Sequence, residues 1–152
     1  MVENRISFLL NDLVREMNGQ ADSLLRREFG LTHSQFVFLL IVLETKEIDV
    51  TRLAEALGVT KGAVSKRIGW FLDRDLVSTH QSPGDGKRLL TSLTPEGIKL
   101  AKSAGDFLEH RFLATITNSQ EFDQELLRNE LQKMLQLLRA KHPAPSPPSE
   151  ML

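Results

Sequence analysis

The feature that most restricts this chain is a helix stop placed between two helix starts. Thr51 offers a cap for a helix over Arg52 to Leu57, and Gly58 supplies the left-handed residue that ends it. Thr60 then caps again at once, and Val59 can staple onto Val64. Val64, Ile68, Phe71 and Leu72 form one apolar stripe at helical spacing that runs to about Arg74. Two helices joined by so short a Gly-containing turn make a helix-turn-helix. The rest of the chain has to be arranged around that unit.

Upstream, Ile6, Leu9, Leu10, Leu13, Val14, Met17, Ala21, Leu24 and Leu25 recur every three or four positions, which predicts a long amphipathic helix ending near Gly30. Thr32 and Gln35 can form a capping box, with Leu31 stapling onto Phe36, so a second helix starts at Thr32. Its run from Phe36 to Leu43 is apolar on every face and belongs at the centre of a core. At eight residues it falls well short of the roughly 18 that a membrane span needs.

Downstream, the pattern changes to β-type runs, Leu76 to His80 and Leu89 to Leu93. Between them lies the stretch Gln81-Ser82-Pro83-Gly84-Asp85-Gly86-Lys87, whose turn chemistry predicts a hairpin with an extended polar tip. Thr94 and Pro95 cap and open another helix, carried on by Ile98, Ala101, Phe107, Leu108, Phe112, Leu113 and Ile116. After a break at Thr117-Asn118-Ser119, a last amphipathic helix runs from Phe122 through Leu126, Leu127, Leu131, Met134 and Leu135 to Leu138. From His142 the chain has four prolines in eight residues and is expected to be extended and mobile.

The fold class is therefore mainly α with a small β-hairpin wing: a winged helix-turn-helix core flanked by long N- and C-terminal helices. Residues 1–141 form a single unit, with the lobe at about 31–97, outer helices at about 1–30 and 98–141, and a tail at 142–152. The outer helices carry more apolar positions than one small core can cover, and pairing them with a second copy buries the surplus, so a homodimer is expected. Composition is that of an ordinary globular domain, 41% hydrophobic and 26% charged over 152 residues, which excludes disorder and collagen-like repeats. The absence of cysteine excludes disulfide scaffolds, thiol redox sensing, thiolate catalysis and Cys-based zinc sites. Glu3, Asn4 and Arg5 precede any apolar stretch, the wrong order for a secretory signal, so a soluble cytoplasmic protein with no membrane partner is expected.

The net charge of -1 hides a local asymmetry. Residues 1–57 carry 6 basic and 9 acidic groups, residues 58–93 carry 6 and 3, and residues 94–152 carry 7 and 8. The surplus of +3 thus falls on the second helix of the helix-turn-helix and on the wing, the elements that meet DNA in this architecture. Projected at 100° per residue, that helix turns Val64, Ile68, Phe71 and Leu72 inward and Gly62, Lys66, Gly69 and Asp73 outward. Glycine costs roughly 0.5 to 1 kcal/mol in a helix interior, so Gly62 and Gly69 suggest close approach of the backbone to a groove, with Lys66 reaching a guanine edge. Ser65, Arg67 and Lys61 suit phosphate or base-edge contacts. Lys87 and Arg88 are expected in or along the adjacent minor groove, with Asp85 positioning the wing. Thr51, Arg52 and Thr60 are candidates for phosphate contacts, though a capping role suffices for either threonine.

Several strings resemble the MarR family of bacterial and archaeal transcription regulators, over roughly residues 5 to 140. They are Leu53-Ala54-Glu55-Ala56-Leu57-Gly58-Val59-Thr60-Lys61-Gly62-Ala63-Val64-Ser65-Lys66 and, more telling, Asp85-Gly86-Lys87-Arg88 followed by Leu93-Thr94-Pro95-Glu96-Gly97. Three positions depart from the family pattern. Lys87 stands where Arg is usual at the wing tip, with Arg88 immediately after it; Gly69-Trp70 replaces a charged pair such as Asp-Arg; Asp75 sits where Gly often closes the recognition helix. Lys lacks the planar fork of Arg, so the wing contact is the part most affected.

The resemblance implies a homodimeric transcription regulator of pseudo-palindromic operators, a repressor relieved by a small-molecule effector. Met17, Phe36, Leu39 and Phe107 are candidates to line the effector pocket, although each also fits an ordinary core position. Two alternatives share the fold. A metal-responsive regulator would draw on His33, His80, His110, Glu109 and Glu28, but no pair of these has ligand spacing on one helical face, so no metal and no cofactor is expected. A winged helix that binds protein would have no need of adjacent Lys87 and Arg88. An enzyme is not expected, since the chain has no nucleophile elbow, metal-protease helix or phosphate loop.

Overall fold

The computed structural model describes residues 5–117 and 121–141. Element order is α1 (Ile6–Phe29), α2 (His33–Thr45), β1 (Ile48–Asp49), α3 (Val50–Leu57), α4 (Lys61–Leu72), β2 (Val77–Ser82), β3 (Asp85–Leu93), α5 (Pro95–Thr117) and α6 (Gln124–Lys141). The chain divides into two compact units, 1–109 and 110–152, so α5 crosses the division. The first unit takes in the stretch 31–97 together with α1 and the first part of α5.

The reason lies in α1 and α5. Leu25 of α1 and Ala101 and Ala104 of α5 are fully buried with the helix-turn-helix residues in one core. Phe29 packs edge-on against Phe107, with ring centroids 5.5 Å apart. Asp22 closes the turn between α1 and α2: one oxygen accepts from the His33 backbone N–H at 2.7 Å and the other from Arg26 Nε at 2.6 Å. The Arg26 hydrogen bond, and then that from the His33 N–H, hold the Asp22 carboxyl below the usual carboxylate range.

Local signals explain most boundaries. Gly30, at φ 66, ends α1. Thr32 and Gln35 form the reciprocal capping box that starts α2. The eight-residue apolar run lies in the core, with Phe36, Phe38, Leu39 and Val42 buried. Thr94 Oγ1 accepts from the Gly97 N–H at 3.0 Å and so caps α5 ahead of Pro95. Asp123 does the same for α6, accepting from the Glu125 and Leu126 N–H groups at 3.0 Å. The expected break at Asn118-Ser119 and the proline-rich tail lie outside the described residues.

The three-stranded antiparallel sheet has the order β1-β3-β2. Ile48 pairs with Thr91 and Asp49 with Leu90, while Val77 to Ser82 pair with β3 from Leu93 back to Asp85, with a register shift between Gln81 and Ser82. The strands run closer to the turn than the β-type residues suggested. Only Pro83 and Gly84 are left between them, Gly84 taking φ 84, so the expected extended tip is a tight turn instead.

Thr91 is fully buried, and among the described residues its Oγ1 has no hydrogen-bond partner. Thr91→Val keeps the shape and removes the unsatisfied hydroxyl. It should stabilise the protein by about 1 kcal/mol, seen as a higher melting temperature in a calorimetric scan.

Each terminal helix shows an apolar stripe to solvent. On α1 these are Ile6, Leu9, Leu13 and Val14, all at least half exposed. α6 buries none of its residues, and Leu126, Leu131, Leu135 and Leu138 stand exposed along it. No helix of the described residues is long and apolar enough to cross a membrane.

Candidate nucleic-acid interface

α3 starts two residues earlier than Thr51 would place it. Asp49 is the cap: its Oδ1 accepts from the Arg52 N–H at 2.9 Å, and Val50 is the first helical residue. Thr51 is therefore an exposed residue of the first turn, beside exposed Arg52. Gly58, at φ 64, ends α3 with its N–H on the Ala54 and Glu55 carbonyls. Thr60 then caps α4 by accepting from the Ala63 N–H at 3.2 Å.

One face of α4 is pinned. Val64, Ile68 and Phe71 are buried, and Phe71 stacks on Phe38 of α2 with centroids 4.5 Å apart and planes 22° from parallel. Leu72, expected to turn inward with them, is 41% exposed, because α4 ends at that residue and its stripe has no further turn to cover it. Lys61, Gly62, Ser65 and Lys66 are exposed together, with Arg67 and Gly69 partly buried. Among the described residues, and outside the helix's own backbone and the adjacent residues, a methyl group added at Gly69 would meet nothing within 4 Å, and one at Gly62 would meet the Thr60 hydroxyl at 4.0 Å. The fold itself therefore asks for neither glycine.

Toward α2, a groove of about 170 Å³ is lined by Gln35, Lys66, Arg67, Trp70 and Phe71. Trp70 is held at its edge by Arg74, whose guanidinium lies 3.7 Å from the ring centroid and donates through Nη1 to the Trp70 carbonyl at 3.0 Å. Neither residue is among the contacts expected from the sequence, though the four-residue spacing of an aromatic and a cation is a visible signal. Arg74 extends the basic edge of α4. Behind it, Asp75 adopts φ 55, the left-handed turn that a glycine would take more easily.

On the wing, Lys87 is exposed, and its N–H donates to Asp85 Oδ1 at 3.2 Å, which ties the tip together. Arg88 faces elsewhere. Its Nε donates to Asp49 Oδ2 at 2.9 Å and its Nη2 to the same oxygen. Burial pushes the Asp49 carboxyl up, but the Arg52 N–H and the Arg88 guanidinium outweigh it and hold the group below its ordinary value.

Of the candidate effector residues, Phe36 and Leu39 are buried in the core, Phe107 packs on Phe29, and Met17 is partly exposed on α1. None of the four lines the groove beside α4. Among the described residues no group of three or more His, Asp or Glu is placed to hold a metal ion. His80 instead lies 3.3 Å from Glu47.

A family model described as the MarR family matches residues 29–88, which span α2 to the wing. The organic hydroperoxide resistance transcriptional regulator of Bacillus subtilis is 28% identical over 141 residues, covering 93% of this chain and 94% of that one. Among solved structures, a mutant MarR from E. coli superposes with a TM-score of 0.74 at 20% identity, covering 86% of this chain and 96% of that one. Sco3205 from Streptomyces coelicolor, a MarR family transcriptional regulator solved in complex with DNA, gives 0.71 at 16% identity, covering 95% and 91%.

Proposed function

We propose that the chain is a DNA-binding regulator of the MarR family, whose model matches residues 29–88, and that it acts as a homodimeric, sequence-specific repressor of pseudo-palindromic operators rather than as an enzyme. The observation that carries this reading is the exposed cluster of Lys61, Gly62, Ser65 and Lys66 on a helix whose opposite face is locked into the core. Such a helix can enter a major groove as a rigid body, with Lys66 on base edges and Lys61, Ser65 and Arg67 on base edges or phosphates. Thr51, Arg52 and Thr60, at the starts of α3 and α4, add phosphate contacts, and Lys87 reaches the minor groove beside it.

The exposed apolar stripes of α1 and α6 support the homodimer, since faces of that length are seldom left in water. Two copies would meet half-sites one or two helical turns apart. A small effector would relieve repression only by binding the DNA-competent and incompetent shapes with different affinity. Met17, Phe36, Leu39 and Phe107 remain the residues we assign to its pocket. The relative from Bacillus subtilis is named for organic hydroperoxide resistance. This chain has no cysteine, so no response of its own to such a compound can pass through a thiol.

Lys87 provides the test. Lys87→Ala should weaken binding to a selected genomic fragment and to an unrelated duplex alike. It should also flatten the plot of log affinity against log salt by about 0.9 per subunit. Anisotropy titrations at several salt concentrations measure both. An unchanged slope would remove Lys87 from the interface, and a wild-type protein that binds no genomic fragment at low salt would overturn the reading.

A further inference from the structure

Arg88 sits in the wing, yet it is bound to the helix-turn-helix. Asp49 pairs in register with Leu90, and Arg88, two residues before Leu90, lies on the same face of β3. Lys87 falls on the other face and is exposed. Asp49, a residue only 8% exposed, shares its carboxylate between two jobs: Oδ1 caps α3 through the Arg52 N–H, and Oδ2 takes Nε and Nη2 of Arg88. Turning Arg88 out to a phosphate would leave a buried carboxylate without its cation, a strongly unfavourable exchange.

We infer that Asp49 and Arg88 form a strut that fixes the wing against the start of α3, making both of them positioning residues for DNA binding. Of the two adjacent basic residues, Lys87 meets the nucleic acid and Arg88 sets where Lys87 stands. A wing on a two-residue turn reaches a groove only if its base is held at one angle to α4, and β1 itself contributes just two residues of strand pairing to hold it. The ion pair supplies the missing constraint. It joins positions 39 residues apart and ends on the residue that also starts α3.

This inference rests on the DNA-binding reading for its consequence, and the test separates the two. Asp49→Asn keeps an oxygen to cap α3 but removes the charge that holds Arg88, and Arg88→Ala removes the other half. Each should lower affinity for a selected genomic duplex by roughly tenfold, the double variant no further than either alone, and the salt slope should stay at the wild-type value. Amide exchange across residues 77–93 should speed up in both single variants. A direct phosphate contact by Arg88 would give the opposite pattern: a slope flatter by about 0.9 per subunit in Arg88→Ala, and unchanged or tighter binding in Asp49→Asn, which frees the arginine. Either of those results, or unchanged wing exchange in both variants, overturns the strut. If the wild-type protein binds no duplex, the DNA reading falls, and the exchange measurement still decides whether the strut holds the wing.

Discussion

Gly97→Ala is expected to cost more than about 3 kcal/mol of stability, enough to leave a small domain largely unfolded at moderate temperature. A methyl group at Gly97 would stand 2.0 Å from the Leu76 carbonyl oxygen and 3.0 Å from its carbon. Backbone cannot yield there as a flexible side chain would. The Leu76 carbonyl accepts the Thr94 N–H at 3.1 Å, and Thr94 Oγ1 accepts the Gly97 N–H while donating to the Asp75 carbonyl at 2.6 Å. Relief of the clash would break this whole junction, which fixes the exit of α4 against the start of α5. Gly105→Ala is the control on the same helix, because its methyl group would meet the Phe36 ring at an ordinary 3.9 Å. Urea midpoints of the two variants should therefore move far apart, with Gly105→Ala near wild type or above it. Similar midpoints would show that the junction has slack that its hydrogen bonds do not suggest.

That contrast also marks what could be read from the residues alone. Thr32 with Gln35, Thr60 before Ala63, Gly58 and Thr94 act through partners a few residues away, so pattern and side-chain chemistry were enough to locate the ends of α2, α3, α4 and α5. Thr51 was the cap expected for α3, and nothing local to it rules that reading out. The choice falls to Asp49, whose carboxylate also meets Arg88, 39 residues on, and contacts at that range leave no periodic trace. The same holds for Arg88, a wing cation by position and an internal ion-pair partner by contact. The tight wing turn depended on a register shift at Gln81/Ser82 that residue types do not reveal. Gly97 was visible as part of a family string, but the 2.0 Å approach that demands it was not. The concentration of charge on residues 58–93, by contrast, needed only counting, because it depends on no contact at all.

Lys66 should show the largest loss of DNA affinity among these variants, without loss of stability. Its side chain is exposed on α4, so truncation to Ala leaves the packing of Val64, Ile68 and Phe71 intact. A base-edge contact contributes about 1–3 kcal/mol, and a two-fold dimer makes it twice, so Lys66→Ala should weaken a selected operator at least about thirtyfold. Unrelated duplexes should lose much less, which distinguishes this residue from Lys87. Gly69→Ala then tests why the helix is built as it is. Among the described residues nothing beyond the helix's own backbone and the adjacent residues comes within 4 Å of the added methyl group, so the variant should be more stable by about 0.5–1 kcal/mol from helix propensity alone. It should nevertheless bind the operator more weakly, since the methyl group would hold the helix backbone away from the groove floor and lift Lys66 from its base edge. A gain in melting temperature together with a loss of affinity can arise only if the glycine is kept for a surface outside the chain. Should Gly69→Ala bind as tightly as wild type, the close approach of α4 to DNA is wrong, and Lys66 must reach its base from a helix seated higher in the groove.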